Sequence, residues 1–454
     1  MASHAQDTGL IASGTPFVRR TMPAAVLTVI WAGAIAVTGL WWKSTESVSG
    51  SGAWLSEAGR ITGLLAGYAA PVLIVLMARL PFLERGVGTD RVARWHAMGG
   101  RYLTGLLIAH IVLIIWGYAL TGGKGIMTET VDIVFHYPDM LKATAGTFLL
   151  FAVAITSARV ARLRLRYETW YYLHLGTYLA VALSFAHQLS DGAQFIAEPP
   201  ARLAWLALYL GAVLLVCWFR LCMPFLSDLR HRLRVAEVRR EGPGTVSVFV
   251  TGRRLEKLRA KPGQFFRLQF MAPGLRWTAH PYSLSAPANP EYLRFTVKGL
   301  GDHSAAAARL KPGTRVRAEG PYGAFTAARR RSRKVLLLAA GVGITPLRAL
   351  FETLPTAPGD LTLLYRASHA KDILFRSELE AIAAERGARL QYLVGRRNKV
   401  GELLTAENLK TIIPDLARHD VFLCGPEAMT ATAVSALRSA GVPRSRIHFE
   451  SFAF

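Results

Sequence analysis

The run HAMGGRYLTGLLIAH, His96 to His110, is apolar enough to lie in a membrane and carries a histidine at each end. On a helix turning ~100° and rising ~1.5 Å per residue, the fourteen steps between them fall ~40° short of four full turns and climb ~21 Å. The two imidazoles then share a face, one toward each side of a ~30 Å hydrocarbon core. An imidazole there is costly and normally has a partner, often a metal. A second run, HLGTYLAVALSFAH, supplies His174 and His187. A lone membrane histidine is more often a packing or hydrogen-bonding residue than a ligand. Four of them, two on each of two helices at near-equal spacing, favour two stacked b-type haems, each ligated on both faces. The thirteen steps from His174 to His187 leave them ~140° apart around an ideal axis. The second pair therefore needs either a locally tightened helix or haems rotated relative to one another.

The 454 residues suffice for two to four domains. The chain is 52% hydrophobic with a positive mean hydropathy, and its apolar residues lie mostly before residue 223. A net charge of +24 could suit nucleic acid. The arginines, however, cluster at helix ends and in the polar half without a nucleic-acid motif. They read as topology signals and as phosphate or dinucleotide contacts, so no nucleic-acid partner is expected. Cys217, Cys222 and Cys424 form neither a disulfide framework nor a zinc spacing. No cleavable signal peptide is evident, and Arg19-Arg20 makes a poor twin-arginine signal.

A polar tail, 1–20, precedes a membrane domain, 21–226. Six apolar segments fall near 24–42, 61–80, 102–121, 143–158, 170–187 and 203–222, each close to spanning length, with Pro71 a kink in the second. The second connection carries Arg79, Arg85, Arg91, Arg94 and Arg101, and the fourth carries Arg159, Arg162, Arg164 and Arg166. The others are acidic or balanced. Positive charge stays inside, which makes both termini cytoplasmic in a multi-pass cell-membrane protein. An inner haem between His96 and His174 and an outer one between His110 and His187 would then carry an electron across the bilayer. Arg202 opens the sixth segment on the outer side, either as an interfacial anchor or as a cation for superoxide or an anionic iron chelate.

Beyond residue 226 the pattern changes. RVAEVRR, TVSVFVTG, QFFRLQF, YLRFTVKG and TRVRAEG are short alternating strands punctuated by Gly and Pro, which reads as a small antiparallel barrel over 227–328. Over 329–454, KVLLLAAG, DLTLLYR, RLQYLVG and DVFLCG alternate with helical stretches, which implies a doubly wound parallel sheet. The turn Gly341-Val342-Gly343-Ile344-Thr345-Pro346 lets a diphosphate approach the backbone at a helix N-terminus. Cys424-Gly425-Pro426 closes a later strand of the same sheet. In the barrel, His280-Pro281-Tyr282-Ser283 sets a phenol beside a hydroxyl at a strand end, which suits stacking on a flavin. Lys298 to Ser304, with Gly301 inside it, opens an alanine-rich stretch that would hold a diphosphate, and GPYG at 320–323 would approach the cofactor.

The soluble half resembles the ferredoxin–NADP reductase superfamily along its whole length. Its flavin motif Arg-x-Tyr-Ser is matched by Tyr282 and Ser283, with His280 in place of the arginine, the form seen in NADPH oxidases and ferric reductases. The membrane half resembles the ferric reductase transmembrane domain of that family, whose haem histidines match His96, His110, His174 and His187. The resemblance implies a multi-domain membrane protein: a six-helix transmembrane haem bundle, then an antiparallel β-barrel FAD domain and a doubly wound α/β NAD(P)-binding domain. It also implies that Gly341 to Pro346 contact the dinucleotide, that Cys424 lies near the nicotinamide, and that Phe452 or Phe454 covers the flavin. The sequence lacks an EF-hand loop, as in the small bacterial members.

The expected activity is transfer of electrons from NADPH through FAD and two b-type haems to an outside acceptor: oxygen, giving superoxide, or alternatively a ferric or cupric chelate or a periplasmic partner protein. The second strand of the dinucleotide sheet ends in Arg366 and Ser368, and Arg396 and Arg397 follow the third. Cations and a hydroxyl in place of an acid at the adenosine ribose favour the 2′-phosphate of NADPH.

Overall fold

The computed structural model describes residues 16–45, 48–158, 161, 164–165, 167–192, 195–196, 198–395 and 404–452. Two compact units, Met1–Cys222 and Met223–Phe454, divide the chain.

The first unit is helical: α1 (Pro16–Ser44), α2 (Ser51–Leu76), α3 (Pro81–Gly86), α4 (Thr89–Gly122), α5 (Ile126–His136), α6 (Met140–Ser157), α7 (Tyr167–Ser190) and α8 (Pro199–Val216). A π-helical turn, Cys217–Cys222, runs from α8 into α9 (Met223–His231). Among the described residues, five helical stretches are long and apolar enough to cross a membrane: Thr21–Lys43, Ser51–Leu76, Arg91–Gly122, Met140–Ser157 and Pro199–His231. The chain is a membrane protein. The fifth expected segment, 170–187, is helical too, as α7, but its tyrosines, Trp170 and two histidines keep it out of that set.

The helices start earlier than hydropathy suggests. Pro16–Arg20, expected in the polar tail, already belongs to α1. The second helix begins at Ser51 instead of near residue 61 because its polar residues satisfy one another. Glu57 is buried and ion-paired to Arg60, and it also accepts from Trp41 Nε1 at 3.1 Å and Thr45 Oγ1 at 3.3 Å. Paired in this way, a carboxylate can sit in a helix that would otherwise exclude it. Glycines let α2 and α4 meet backbone to backbone: a Cβ at Gly117 would lie 2.6 Å from Ser56 N, and one at Gly52 would lie 2.9 Å from Gly117 O. Such close approach is the usual source of packing between helices in lipid. Arg220, in the π-helical turn, donates Nε and Nη2 to Met77 O at the end of α2, at 3.0 and 2.8 Å.

The second unit opens with two three-stranded antiparallel sheets. One runs β1 (Arg234–Gly242), β2 (Thr245–Thr251), β5 (Leu293–Lys298). The other runs β4 (His280–Ser283), β3 (Phe265–Phe270), β6 (Val316–Tyr322). Single bridges, Leu284 to Phe295 and Arg234 to Arg315, join them. Val248, Val250, Phe266, Leu268 and Phe295 fill the space between the sheets.

A five-stranded parallel sheet follows, in the spatial order β11 (Ile447–Phe452), β10 (His419–Pro426), β7 (Lys334–Ala340), β8 (Leu361–Ala367), β9 (Arg389–Val394). Leu336, Leu337 and Leu338 are wholly buried because helices cover both faces, which is why this strand reads as an unbroken apolar run. Sequence patterning missed β11: it is an edge strand interrupted by His448 and Glu450.

Asp420, fully buried at the start of β10, anchors this sheet. It accepts from His448 Nε2 at 3.2 Å and from the backbone amides of Arg331 and Ser332. Burial alone would raise its pKa, but His448 and the two amides outweigh that and hold it below the usual carboxylate range. A depressed carboxyl stabilises the fold above its unfolded pKa of about 3.9 and loses that contribution as pH falls through the folded value. Asp420→Asn should therefore cost about 1–3 kcal/mol near neutrality. The gap in thermal midpoint between variant and wild type should narrow as the pH is lowered below about 4. A pH-independent gap would refute the assignment.

Candidate functional site

The four histidines fall on two helices, as expected: His96 and His110 on α4, His174 and His187 on α7. The helix α7 is α-helical throughout, without the tightened turn that its thirteen-residue spacing allowed. The His96 and His174 ring centroids are 5.8 Å apart, with their planes at 73°. A metal at the ~2.0–2.1 Å usual for imidazole nitrogen, held between two histidines, sets their centroids roughly 6 Å apart. His110 and His187 lie within electrostatic reach of one another.

The ring nitrogens say more. His96 Nδ1 is 3.2 Å from Leu73 O and His110 Nδ1 is 2.8 Å from Gly59 O. A carbonyl only accepts, so each Nδ1 carries the hydrogen and each Nε2 keeps its lone pair for a metal. His174 Nδ1 is 3.2 Å from Ser157 Oγ, which also accepts from Trp170 Nε1, and Trp170 stacks on the His174 ring at 5.3 Å. Among the described residues, His187 Nδ1 is buried without a hydrogen-bond partner. One turn beyond His96, on the same face, a Cβ at Gly100 would meet nothing within 4 Å among the described residues. The fixed His96 tautomer, ligand-distance spacing and open space fit a haem at the His96–His174 level. Leu73, Gly59, Ser157 and Trp170 were invisible as participants, since two act through backbone, Ser157 comes from another apolar stretch, and Trp170 reads as one more apolar residue of the His174 helix. Arg202 is exposed on the first turn of α8, and its side chain has no ion pair or hydrogen bond among the described residues. That position suits either of the two roles left open for it.

In the second antiparallel sheet, β3 pairs with β4 so that Phe266 faces Tyr282 and Arg267 faces Pro281. Ser283 is buried, and burial pushes the Tyr282 phenol up to about 12, so the ring stays neutral. His280 Nε2 lies 3.2 Å from Thr278 Oγ1. Arg267, on the strand beside the motif, donates to Ala279 O at 3.2 Å and stands 3.7 Å from Glu319. It is a cation near the flavin motif that sequence order hid. The GPYG turn packs against β3, where Gln264 Nε2 donates to Gly323 O at 3.2 Å. The helix expected after Lys298 is short, Asp302–Ala306 (α10). Two of its leading amides, Leu300 and Gly301, already donate to Ser304 Oγ at 2.9 and 3.1 Å. They cap the turn instead of standing free for a diphosphate.

The dinucleotide turn sits where the sheet order reverses, between β7 and β10, the usual ligand crevice of such sheets. Gly341 has φ +53°, and a Cβ at Gly343 would lie 2.2 Å from Cys424 O. The next helix, α11 (Ile344–Thr353), starts inside the core: Thr345 and Pro346 are buried, and the Thr345 hydroxyl donates to Val342 O at 2.9 Å. Of the expected contacts in this turn, the accessible groups are the backbone of Gly341 and Val342. Cys424 is fully buried, and burial with nearby Glu450 raises its thiol pKa. It is held as a thiol and shapes the crevice. Gly425 and Pro426 end β10, and Pro426 pairs in register with Phe452. Arg366 is buried at the end of β8 and donates Nη2 to Gly395 O at 3.1 Å, with Ser368 half-buried just beyond. Arg396, Arg397 and Phe454 lie outside the described residues.

Comparison with known proteins accounts for this order of parts. Residues 62–185 match a family described as ferric reductase like transmembrane component, 232–326 an FAD-binding domain, and 337–435 an oxidoreductase NAD-binding domain. Among curated relatives, the ferredoxin reductase component of 3-ketosteroid-9-alpha-monooxygenase from Mycolicibacterium smegmatis is 33% identical over 48% of this chain and 65% of its own. An NADPH oxidoreductase of Mycobacterium tuberculosis is 31% identical over 52% of this chain and 63% of its own. The chain thus spans somewhat under two thirds of the length of these relatives. Among solved structures, the FAD/NAD-binding domain of nitric oxide dioxygenase from Vibrio cholerae is 25% identical, covering 49% of this chain and 98% of its own, with a TM-score of 0.40.

The two glycines of the turn should respond differently to substitution. Gly343→Ala drives a Cβ into the Cys424 backbone and should lower the thermal midpoint sharply, with an overpacking cost of about 1–3 kcal/mol or more. Gly341→Ala meets open space and should cost only the left-handed strain, about 1–2 kcal/mol. Equal losses in a thermal melt would contradict this steric account.

Proposed function

We propose that this chain, whose three segments in this order match the ferric reductase-like flavocytochrome family, carries electrons from cytosolic NADPH to oxygen on the far side of the membrane, forming superoxide. FAD and two b-type haems, when bound, supply the hydride-to-single-electron conversion and the electron transfer. The observation that carries the proposal is the pair of α2 carbonyls holding His96 and His110 with Nε2 free, opposite His174 and His187 on α7.

The residues divide the work. The backbone of Gly341 and Val342 receives the dinucleotide diphosphate, Gly343 lets the turn close onto β10, and Cys424 limits how deeply the nicotinamide enters. Tyr282 and Ser283 orient the flavin, with Arg267 and His280 at its edge and Phe452 at the end of β11. His96 and His174 form the inner haem level, His110 and His187 the outer. The arginine-rich connections support cytosolic placement of both termini. A second acceptor, a ferric chelate, is favoured by the description of the matched transmembrane segment.

In purified protein, His187→Ala should contain one haem in place of two, keep a low-spin spectrum for the remaining one, and lose external reduction while flavin reduction by NADPH persists. Superoxide-dismutase-sensitive reduction in the wild type selects oxygen, whereas dismutase-insensitive ferric-chelate reduction selects the chelate. Two haems in His187→Ala would refute the pairing.

Arg366 and Ser368 support NADPH over NADH. To reach a 2′-phosphate, Arg366 would swing from Gly395 O at a strand end. Losing a charge-assisted phosphate contact costs about 1.5–3 kcal/mol, so Arg366→Ala should raise the Michaelis constant for NADPH roughly ten- to a hundred-fold, with little change for NADH. Equal changes for both cofactors would assign Arg366 to the β8–β9 strand ends alone.

A further inference from the structure

Three charged side chains from the flavin and dinucleotide parts of the soluble unit converge on one another. Glu378 lies on α12 (Arg376–Arg386). Its two oxygens accept from Arg294 of β5, Nη1 to Oε1 at 2.8 Å and Nη2 to Oε2 at 3.0 Å. Arg348 of α11 donates Nε to Glu378 Oε2 at 2.8 Å and also pairs with Glu352. Arg294 Nη2 donates to Ser285 O at 2.6 Å, and its guanidinium sits 4.8 Å from the Phe375 ring centroid.

The cluster is sheltered. Side-chain exposure is 5% for Arg294, 10% for Arg348 and 32% for Glu378, so it escapes most of the screening that makes surface pairs weak. Burial alone would raise the Glu378 carboxyl, but the two arginines outweigh it and hold it below the usual range. Removing one member would leave buried charge uncompensated.

Each arm ends at a cofactor segment. Arg294 grips Ser285, two residues beyond the Tyr282-Ser283 motif, and the Ser285 hydroxyl also accepts from Thr296 Oγ1 at 2.8 Å. Arg348 belongs to the helix that begins at the Gly341–Gly343 turn. A second tie runs in parallel: Tyr365 Oη donates to Gly341 O at 3.1 Å and accepts from Leu374 N at 3.2 Å, and Leu374 precedes the Phe375 ring under Arg294. The dinucleotide turn is therefore linked twice to the point where Arg294 holds the flavin strand.

We propose that Arg294, Glu378 and Arg348 form a strut that sets the spacing of the flavin strand from the dinucleotide turn, making them positioning residues for hydride transfer. The strut rests on the NADPH-to-flavin reading above. In the step it governs, a C–H bond breaks on the reduced nicotinamide and an N–H bond forms on the flavin. Two electrons move with the hydrogen, and no other reactant takes part. None of the three residues touches the reacting atoms. Their effect is geometric, because such transfers need the atoms about 3–3.5 Å apart and a shift of about 1 Å can cost on the order of a hundred-fold.

The test is anaerobic stopped-flow bleaching of the flavin by NADPH in the full-length protein loaded with its cofactors. In Glu378→Gln the limiting rate should fall on the order of ten- to a hundred-fold. Flavin content, haem spectrum and half-saturating NADPH should stay close to wild type. Glu378→Asp should recover part of the rate, and Arg294→Met with Glu378→Gln should be no slower than the worse single variant. If Glu378→Gln loses its flavin, Arg348→Gln, which leaves the Arg294 pair intact, should show the same limiting-rate defect in milder form. Wild-type limiting rates in the flavin-containing variants, or a change confined to half-saturation or thermal midpoint, would overturn the strut. Failure of NADPH to bleach the wild-type flavin would instead sink the underlying reading and the strut with it.

Discussion

A hydrocarbon interior offers an imidazole nothing to bond to, and this constraint shapes the membrane unit. The answer is α2. Its Leu73 and Gly59 carbonyls, fourteen residues apart, meet the Nδ1 atoms of His96 and His110, also fourteen apart. Equal spacing on two closely packed helices repeats one contact at two depths. A carbonyl has two lone pairs, so each can serve its own helix and the histidine as well. The contact requires the helices to be close. Gly63 provides part of that closeness, since a Cβ there would lie 2.5 Å from His110 Nδ1. The glycines of α2, the tautomers of α4 and the free Nε2 atoms are consequences of one another.

The four histidines were legible because polar atoms in an apolar run stand out. Their second partners were not, because a backbone carbonyl leaves no trace in side-chain pattern. Hydropathy failed for a related reason at the start of α2. Glu57 and Arg60 count as a loop when scored singly, yet as a pair with Trp41 and Thr45 they are compatible with a buried helix. The resemblance of motifs located the flavin strand and the dinucleotide turn. It could not foresee that Ser304 would occupy the amides of Leu300 and Gly301, because that depends on which rotamer closes a single helical turn.

The parallel sheet shows where periodicity succeeds. Strands buried on both faces must be apolar throughout, so β7, β8 and β10 declare themselves, whereas the edge strand β11 alternates and escapes notice. Order in that sheet also decides the site. With β7 and β10 adjacent, the Gly341–Gly343 turn and Cys424 come together from residues about eighty positions apart in sequence. Gly343 is required by that adjacency and not by its own backbone angle, which is ordinary helical.

Buried or half-buried carboxylates appear in both units, and their partners explain what each one does. Glu57 pairs three residues along its own helix, so its effect is local: it extends α2. Glu378 pairs with β5 and with α11, elements from different parts of the second unit, so its effect is to join them. Asp420 accepts from β11 and from the segment leading into β7, and so closes the sheet around its central strands. A charge removed from water must be matched wherever it sits. What it contributes to architecture depends on how far along the chain its match lies: Arg294 to Glu378 and Arg331 to Asp420, 84 and 89 residues apart, tie together elements that the chain itself leaves distant.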